Sequence, residues 1–191
     1  MTLVGAHVKA RQAAPDGRAC VRAPAGGPVS IAPAATRTEM TQIVMPGQAN
    51  ALGSVFGGQV MAWIDICAAV SAQRFARSDV VTAAVDSLIF RAPVKQGMVV
   101  VLQSMVNWSG RTSMEVGVRV EAEDRYTGAR EHTSTCYLTF VSLDAAGRPK
   151  ILPALAPETA EDRRRWGDAE RRRAVRLEAR EHDRRRAQEG H

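Results

Sequence analysis

Only one stretch of this chain reads as a long apolar helix, and four strand-like runs follow it. The helix opens at Gly57-Gly58 and continues to about Arg77. The strand-like runs cover residues 80–90, 98–108, 112–123 and 131–143. In the third, Met114, Val116, Val118, Val120 and Ala122 alternate with Ser113, Glu115, Arg119, Glu121 and Glu123; in the fourth, Cys136, Leu138 and Phe140 alternate with Tyr137, Thr139 and Val141. A period of two marks a strand with one face buried and the other in water. A short strand over 38–46 ends at Pro46, and 47–56 reads as a loop. Short turns at 124–129 and 144–149 make consecutive strands pair antiparallel. A sheet of four or five such strands must cover its apolar face, and the single apolar helix is the element for it. The expected fold class is α+β: an antiparallel sheet wrapped around a long central helix, followed by a charged C-terminal helix.

The helix carries one anomaly. Across residues 55–70 Asp65 is the only charge, with Val60, Met61, Trp63, Ile64, Ile66, Cys67 and Val70 on every side of the wheel. A helix apolar all round is a buried one, and a carboxylate stripped of water there needs a partner or a task. Two roles stand open: bonding backbone groups in the core, or chemistry. Gly57-Gly58 at the helix start leaves N–H groups unshielded at the positive end of the helix dipole, which suits a developing oxyanion; a tight turn is the plainer reading. Eight residues of helix separate Gly57 from Asp65, a rise of about 12 Å, so one chain cannot bring both to one small reacting group. A two-fold partner with its helix antiparallel can. The spacing points to a homodimer with two shared sites.

Composition narrows the classes. The chain has 191 residues, enough for one domain plus tails. It holds no apolar run near the length of a membrane span. Cys20, Cys67 and Cys136 are odd in number and far apart, which fits reduced thiols in the cytoplasm. The four histidines make no metal-binding spacing with cysteines or acids, so no metal is expected. Net charge is +6, much of it from an N-terminal arm and from Arg163-Arg164-Arg165, Arg171-Arg172-Arg173 and Arg184-Arg185-Arg186. Acids interleave with these arginines, and no stacking aromatics accompany them, so no nucleic acid is expected. Residues 1–37, rich in Ala, Gly, Pro and Arg, read as a disordered arm; a transit peptide or a start codon upstream of Met40 are the alternatives. The domain is expected at 38–156 and the charged helix and tail at 157–191.

Several motifs in order then resemble a known family. Asn50-Ala51-Leu52-Gly53-Ser54-Val55-Phe56-Gly57-Gly58 with Met61-Ala62-Trp63-Ile64-Asp65, then Val81-Thr82-Ala83-Ala84-Val85-Asp86, Phe90-Arg91-Ala92-Pro93-Val94, Gly110-Arg111-Thr112-Ser113 and Phe140-Val141-Ser142-Leu143-Asp144 resemble the hotdog-fold acyl-CoA thioester hydrolases of the YciA and animal cytosolic type. The resemblance spans roughly residues 38–177. It implies that Asp65 acts as general base or nucleophile on the thioester and that the Gly57 N–H, beside Gly58, polarises its carbonyl. It implies a polar residue that orients water, for which Asn50 and Ser54 are nearest, with Thr82 as a further contributor. It places Gly110, Arg111, Thr112 and Ser113 beside the pantetheine and phosphates of coenzyme A, with Arg91 as another candidate, Arg172 reaching the nucleotide, and Gly58 and Thr82 also in the substrate-binding set. Coenzyme A enters as part of the substrate, and no separate cofactor is implied. Family members often assemble as trimers of dimers, so a hexamer is expected. Two other functions compete. A regulatory module that only binds acyl-CoA would not need Asp65. A carrier-protein dehydratase would need a core histidine, and His132 lies in the last strand, away from the helix.

Overall fold

The structure, a computed structural model, describes residues 30–86 and 88–189. Strands β1 (Ser30–Ile31), β2 (Thr38–Ile43), β3 (Asp79–Val85), β4 (Val99–Ser109), β5 (Ser113–Glu123), β6 (Arg130–Leu143) and β7 (Ala154–Leu155) accompany helices α1 (Gly57–Ala76) and α2 (Ala160–Glu189). Five strands form one antiparallel sheet in the order β2-β4-β5-β6-β3. The inner face curls over α1. Val60, Trp63, Ile64, Cys67, Ala68, Ala72 and Phe75 of the helix meet Val100, Leu102, Val106, Met114, Val116, Val118, Leu138 and Phe140 of the sheet in one core. These strand residues are those of even number, as the period of two requires.

The helix starts where extended Phe56 (ψ 131) hands the chain to Gly57, and no side chain caps it. It ends at Arg77, whose φ of 49 is the left-handed turn that closes many helices. Asp79 then begins β3 and pairs with Leu143 at the end of β6. The chain therefore runs along the core in α1 and returns along the sheet edge in β3. A polar thread ties helix to sheet inside the core: the Ser71 hydroxyl bonds Thr38 Oγ1 (2.9 Å) and Ser104 Oγ (2.7 Å), and the Ser104 hydroxyl donates to the Cys67 carbonyl (2.8 Å).

Three expectations need correction. The sheet wraps the helix as expected, but the helix is not buried all round: Met61 is 46% and Ile66 54% exposed, and Asp65 is half-buried. One sheet has one inner face, so it covers one side of a helix. The strand expected over 80–90 stops at Val85, because the backbone leaves the β6 ladder after Asp86, whose N–H makes a last ladder bond to the Tyr137 carbonyl (2.9 Å). Glu115, expected to face water, is fully buried, because α2 lies across the outer face of the sheet. The arm expected to end at residue 37 lies outside the described residues up to 29. Its last part is held: β1 pairs in parallel with β7, and buried Thr36 accepts a hydrogen bond from the Val106 N–H (3.0 Å). Among the described residues no helix is long and apolar enough to cross a membrane.

Candidate active site

Asp65 sits in the middle of α1, and the strand opposite it is β3. The bulge between Thr82 and Ala84 turns Thr82 toward the helix, and its hydroxyl donates to Asp65 Oδ1 at 2.6 Å. A hydroxyl bond this short is a strong one, and it fixes the Asp65 side chain in one rotamer. Both side chains open on a cavity of about 300 Å³ whose other walls are Met61, Ile64, Val85, Leu88, Cys136 and Leu138. An acid and a hydroxyl at the mouth of an otherwise apolar cavity suit a ligand with one reactive polar group and a hydrocarbon body. Burial pushes the Cys136 thiol up to about 11, with nearby Asp86 adding to the rise, so this wall offers no nucleophile at neutral pH.

The helix start forms a second locus. Gly57 and Gly58 lie in the first turn, where N–H groups have no intrahelical acceptor. A Cβ on Gly58 would come within 2.8 Å of the Phe56 ring, so its glycine is a packing requirement. A Cβ on Gly57 would stand 3.5 Å from Phe90, an ordinary contact, so nothing in its own chain demands glycine there. Asn50 and Ser54 belong to the loop before the helix. The Asn50 Oδ1 accepts the N–H groups of Leu52 (2.9 Å) and Ser54 (3.2 Å), and Gly53 turns the loop at φ 72. The amide oxygen of Asn50 is thus used locally, which leaves its NH₂ to act outward. Arg91 is exposed, and its N–H is anchored to the Thr133 carbonyl (2.8 Å).

The remaining expected residues lie elsewhere. Gly110, Arg111, Thr112 and Ser113 form the β4–β5 turn, closed by the Gly110 N–H on the Ser113 carbonyl (2.8 Å). That turn is at the sheet end where α1 finishes, since Ser113 pairs with Val141 and Asp79 with Leu143. The helix start is at the other end of a 20-residue helix, about 30 Å away. One chain therefore does not bring Arg111 to Gly57. Gly110 also has a packing reason, because a Cβ there would stand 2.6 Å from the Trp108 ring. Arg172 lies on the opposite face of the sheet from Asp65. It bonds both oxygens of Glu115 (2.6 and 3.2 Å) and stacks 3.5 Å over the Tyr137 ring.

Glu115, Asp86 and Arg176 were not picked out from the sequence as a group. Arg176 bonds Asp86 (2.7 Å) and Glu115 (3.3 Å), so α2 pins the point where β3 ends, just past Val85 of the cavity wall. The signal was present in the alternation, since Glu115 shares its face with Gly117 and Tyr137, but a strand pattern does not say which charged face a later helix covers.

Comparison with known proteins agrees with this architecture. The thioesterase superfamily matches residues 52–129. An uncharacterised acyl-CoA thioester hydrolase of Bacillus subtilis, YkhA, is 44% identical over 122 residues, covering 64% of this chain and 71% of that protein. Mouse acyl-coenzyme A thioesterase 11 is 38% identical over 144 residues, and the match spans only 24% of its length. Among solved structures, a hexameric acyl-CoA thioesterase superposes with a TM-score of 0.76 at 40% identity, covering 78% of this chain and 96% of that one. A Staphylococcus aureus acyl-CoA hydrolase, solved in complex with butyryl coenzyme A, coenzyme A and its disulfide, gives 0.74 at 33% identity, covering 83% and 99%. With its sheet curled over one long helix, the chain belongs to the hotdog-fold acyl-CoA thioester hydrolases of the thioesterase superfamily.

Proposed function

We propose that this protein hydrolyses acyl-CoA thioesters to the free acid and coenzyme A, at sites shared between two chains. The observation that carries this reading is Asp65, held by Thr82 at the mouth of the apolar cavity. The acyl chain enters the cavity. The thioester carbonyl takes the N–H of Gly57 from the partner, where the dipole of α1 favours the developing oxyanion. Asp65 removes a proton from water as it attacks, or attacks the carbonyl itself to give a mixed anhydride that water then cleaves. In both routes the sulfur leaves with a proton as the thiol of coenzyme A. Asn50 offers its NH₂ to orient the water, with Ser54 beside it. Arg111, Thr112 and Ser113 of the chain that supplies Asp65, near the end of its α1, take the phosphates of coenzyme A in this reading; Arg91 supplies a further cation.

Support comes from the Staphylococcus aureus hydrolase. Its structure was solved with an Asp, a Thr and an Asn each replaced by Ala. There the Thr follows the Asp by 17 residues, the separation of Thr82 from Asp65, and the Asn precedes the Asp by as many residues as Asn50 precedes Asp65. A hexamer, as a trimer of dimers, is supported by the hexameric neighbours. A place in the cytoplasm is supported by a mouse relative named as cytosolic, 29% identical over 133 residues. The test is thiol release from short-, medium- and long-chain acyl-CoAs. Asp65→Asn keeps the Thr82 contact and loses the base, so turnover falls by about a thousandfold or more, within the range for a missing base or nucleophile, while acyl-CoA still binds. Turnover near the wild-type level in that variant refutes the assignment. Tight acyl-CoA binding with no thiol release by the wild type makes the protein a sensor.

A further inference from the structure

A second cavity, of about 320 Å³, lies on the face of the sheet that turns away from Asp65. Its floor is β4, β5 and β6, and its wall is the first half of α2. Five arginines border it (Arg37, Arg119, Arg164, Arg165 and Arg172) against one carboxylate, Asp168. At its base is Asn107, only 5% exposed, whose carboxamide has no hydrogen-bond partner among the described residues. Its amide atoms open on the cavity and are available to a molecule held there.

Gly117 makes the room. It sits in the interior of β5, where glycine weakens a strand and often marks a close approach of a ligand. A Cβ there would come within 2.6 Å of Asn107 Nδ2 and 3.4 Å of the Tyr137 ring. The rim is adaptable. Arg164 pairs with Glu161 and Asp168, Arg165 with Glu161, and Arg119 with Glu121. Such exposed pairs are worth little, and a stronger anion can re-partner them. Arg37 has no side-chain partner among the described residues. Arg172, by contrast, is fixed by buried Glu115 and holds Tyr137 in place.

We infer that this outer cavity binds a small phosphorylated molecule, with its phosphate among Arg37, Arg119, Arg164 and Arg165 and its polar body bonded to Asn107. Guanidinium groups recognise phosphate oxygens in pairs, and an amide reads a donor and an acceptor on one ring or sugar edge. The cavity is at the small end of ligand sites, which suits a ligand no larger than a nucleotide. The inference stands apart from the thioesterase reading, because no residue of this cavity borders the one at Asp65.

Titration calorimetry of the full-length protein with ADP and with inorganic phosphate tests it. Wild type binds ADP saturably and more weakly as salt rises. Asn107→Leu and Arg37→Ala each weaken ADP binding about tenfold, the loss of one charge-assisted or buried hydrogen bond. Both keep acyl-CoA turnover within about twofold of wild type, because neither lies at the Asp65 face. Arg37 is on the surface, so that variant folds even where Asn107→Leu does not. Coenzyme A titrated into the same variants identifies the source. If it is unaffected, a separate effector occupies the cavity; if it weakens in step with ADP, the substrate's own phosphates lie there, acyl-CoA turnover falls as well, and the separate site is overturned. Absence of saturable ADP and phosphate binding, or equal binding by wild type and Arg37→Ala, overturns the inference.

Discussion

At the scale of single residues, chemistry follows from where a side chain is denied water. Asp65 was legible because one charge in an apolar run is visible without any coordinates. Thr82 was legible only through family resemblance, since a helix residue and a strand residue 17 positions apart share no local pattern. Its bond to Asp65 needed the fold. Gly57 is the sharper case. Its Cβ position is sterically permitted within the chain, so packing there does not explain the glycine, and the proposed function gives it a reason: a ligand reaches the N–H unshielded by a side chain. Gly57→Pro separates the two. Proline is well accepted at the first helical position, and the preceding Phe56, at φ −68 and ψ 131, already has the conformation that proline demands of its neighbour. The variant therefore keeps its melting temperature within a few degrees, while turnover falls by about a hundredfold to a thousandfold from loss of one oxyanion donor. Thermal melts beside thiol-release assays check both halves, and unimpaired turnover removes Gly57 from the mechanism.

At the scale of elements, periodicity located nearly every strand because each has one wet and one dry face. It failed where a face is covered by something distant in sequence. The outer face of β5 is charged, and charge was read as solvent exposure, yet α2 buries Glu115 there through Arg172 and Arg176. β3 is an edge strand with one hydrogen-bonded neighbour, β6, so the bond from Arg176 to Asp86 pins it at its exposed end. Burial raises the Asp86 carboxyl above the usual aspartate value, Arg176 pulls it back, and the Glu115 charge pushes it up. Arg176→Ala removes the pull and costs about 2–4 kcal/mol at neutral pH. A carboxyl raised in the folded state binds protons more tightly there than in the unfolded chain. Its penalty is therefore absent below the unfolded value and grows as pH rises through the folded one. Denaturant melts at pH 4 and pH 7 are expected to show a smaller loss at pH 4. An equal loss at both contradicts the role given to Asp86.

At the scale of the whole molecule, one chain leaves an apolar face open. The exposed flank of α1, with Met61 and Ile66, adjoins the free edge of β3, where Val81 and Val85 are 46% and 45% exposed. Apolar groups clustered along a helix and an unpaired strand edge suit a second copy. In the proposed dimer the two helices run antiparallel and each Asp65 meets the other chain's Gly57. The proposed arrangement rests on the spacing on α1, because eight residues of helix have a fixed length. The outer face was not legible in the sequence, since nothing in the alternation of β5 announces a cavity. Mixing two inactive variants, Asp65→Asn and Gly57→Pro, by unfolding and refolding them together tests the shared site most directly. If each site takes Asp65 from one chain and Gly57 from the other, half the dimers are mixed and each holds one intact site, so thiol release returns to about a quarter of wild type. If each site is built within one chain, every chain in the mixture carries a defect and the mixture stays as inactive as its parents.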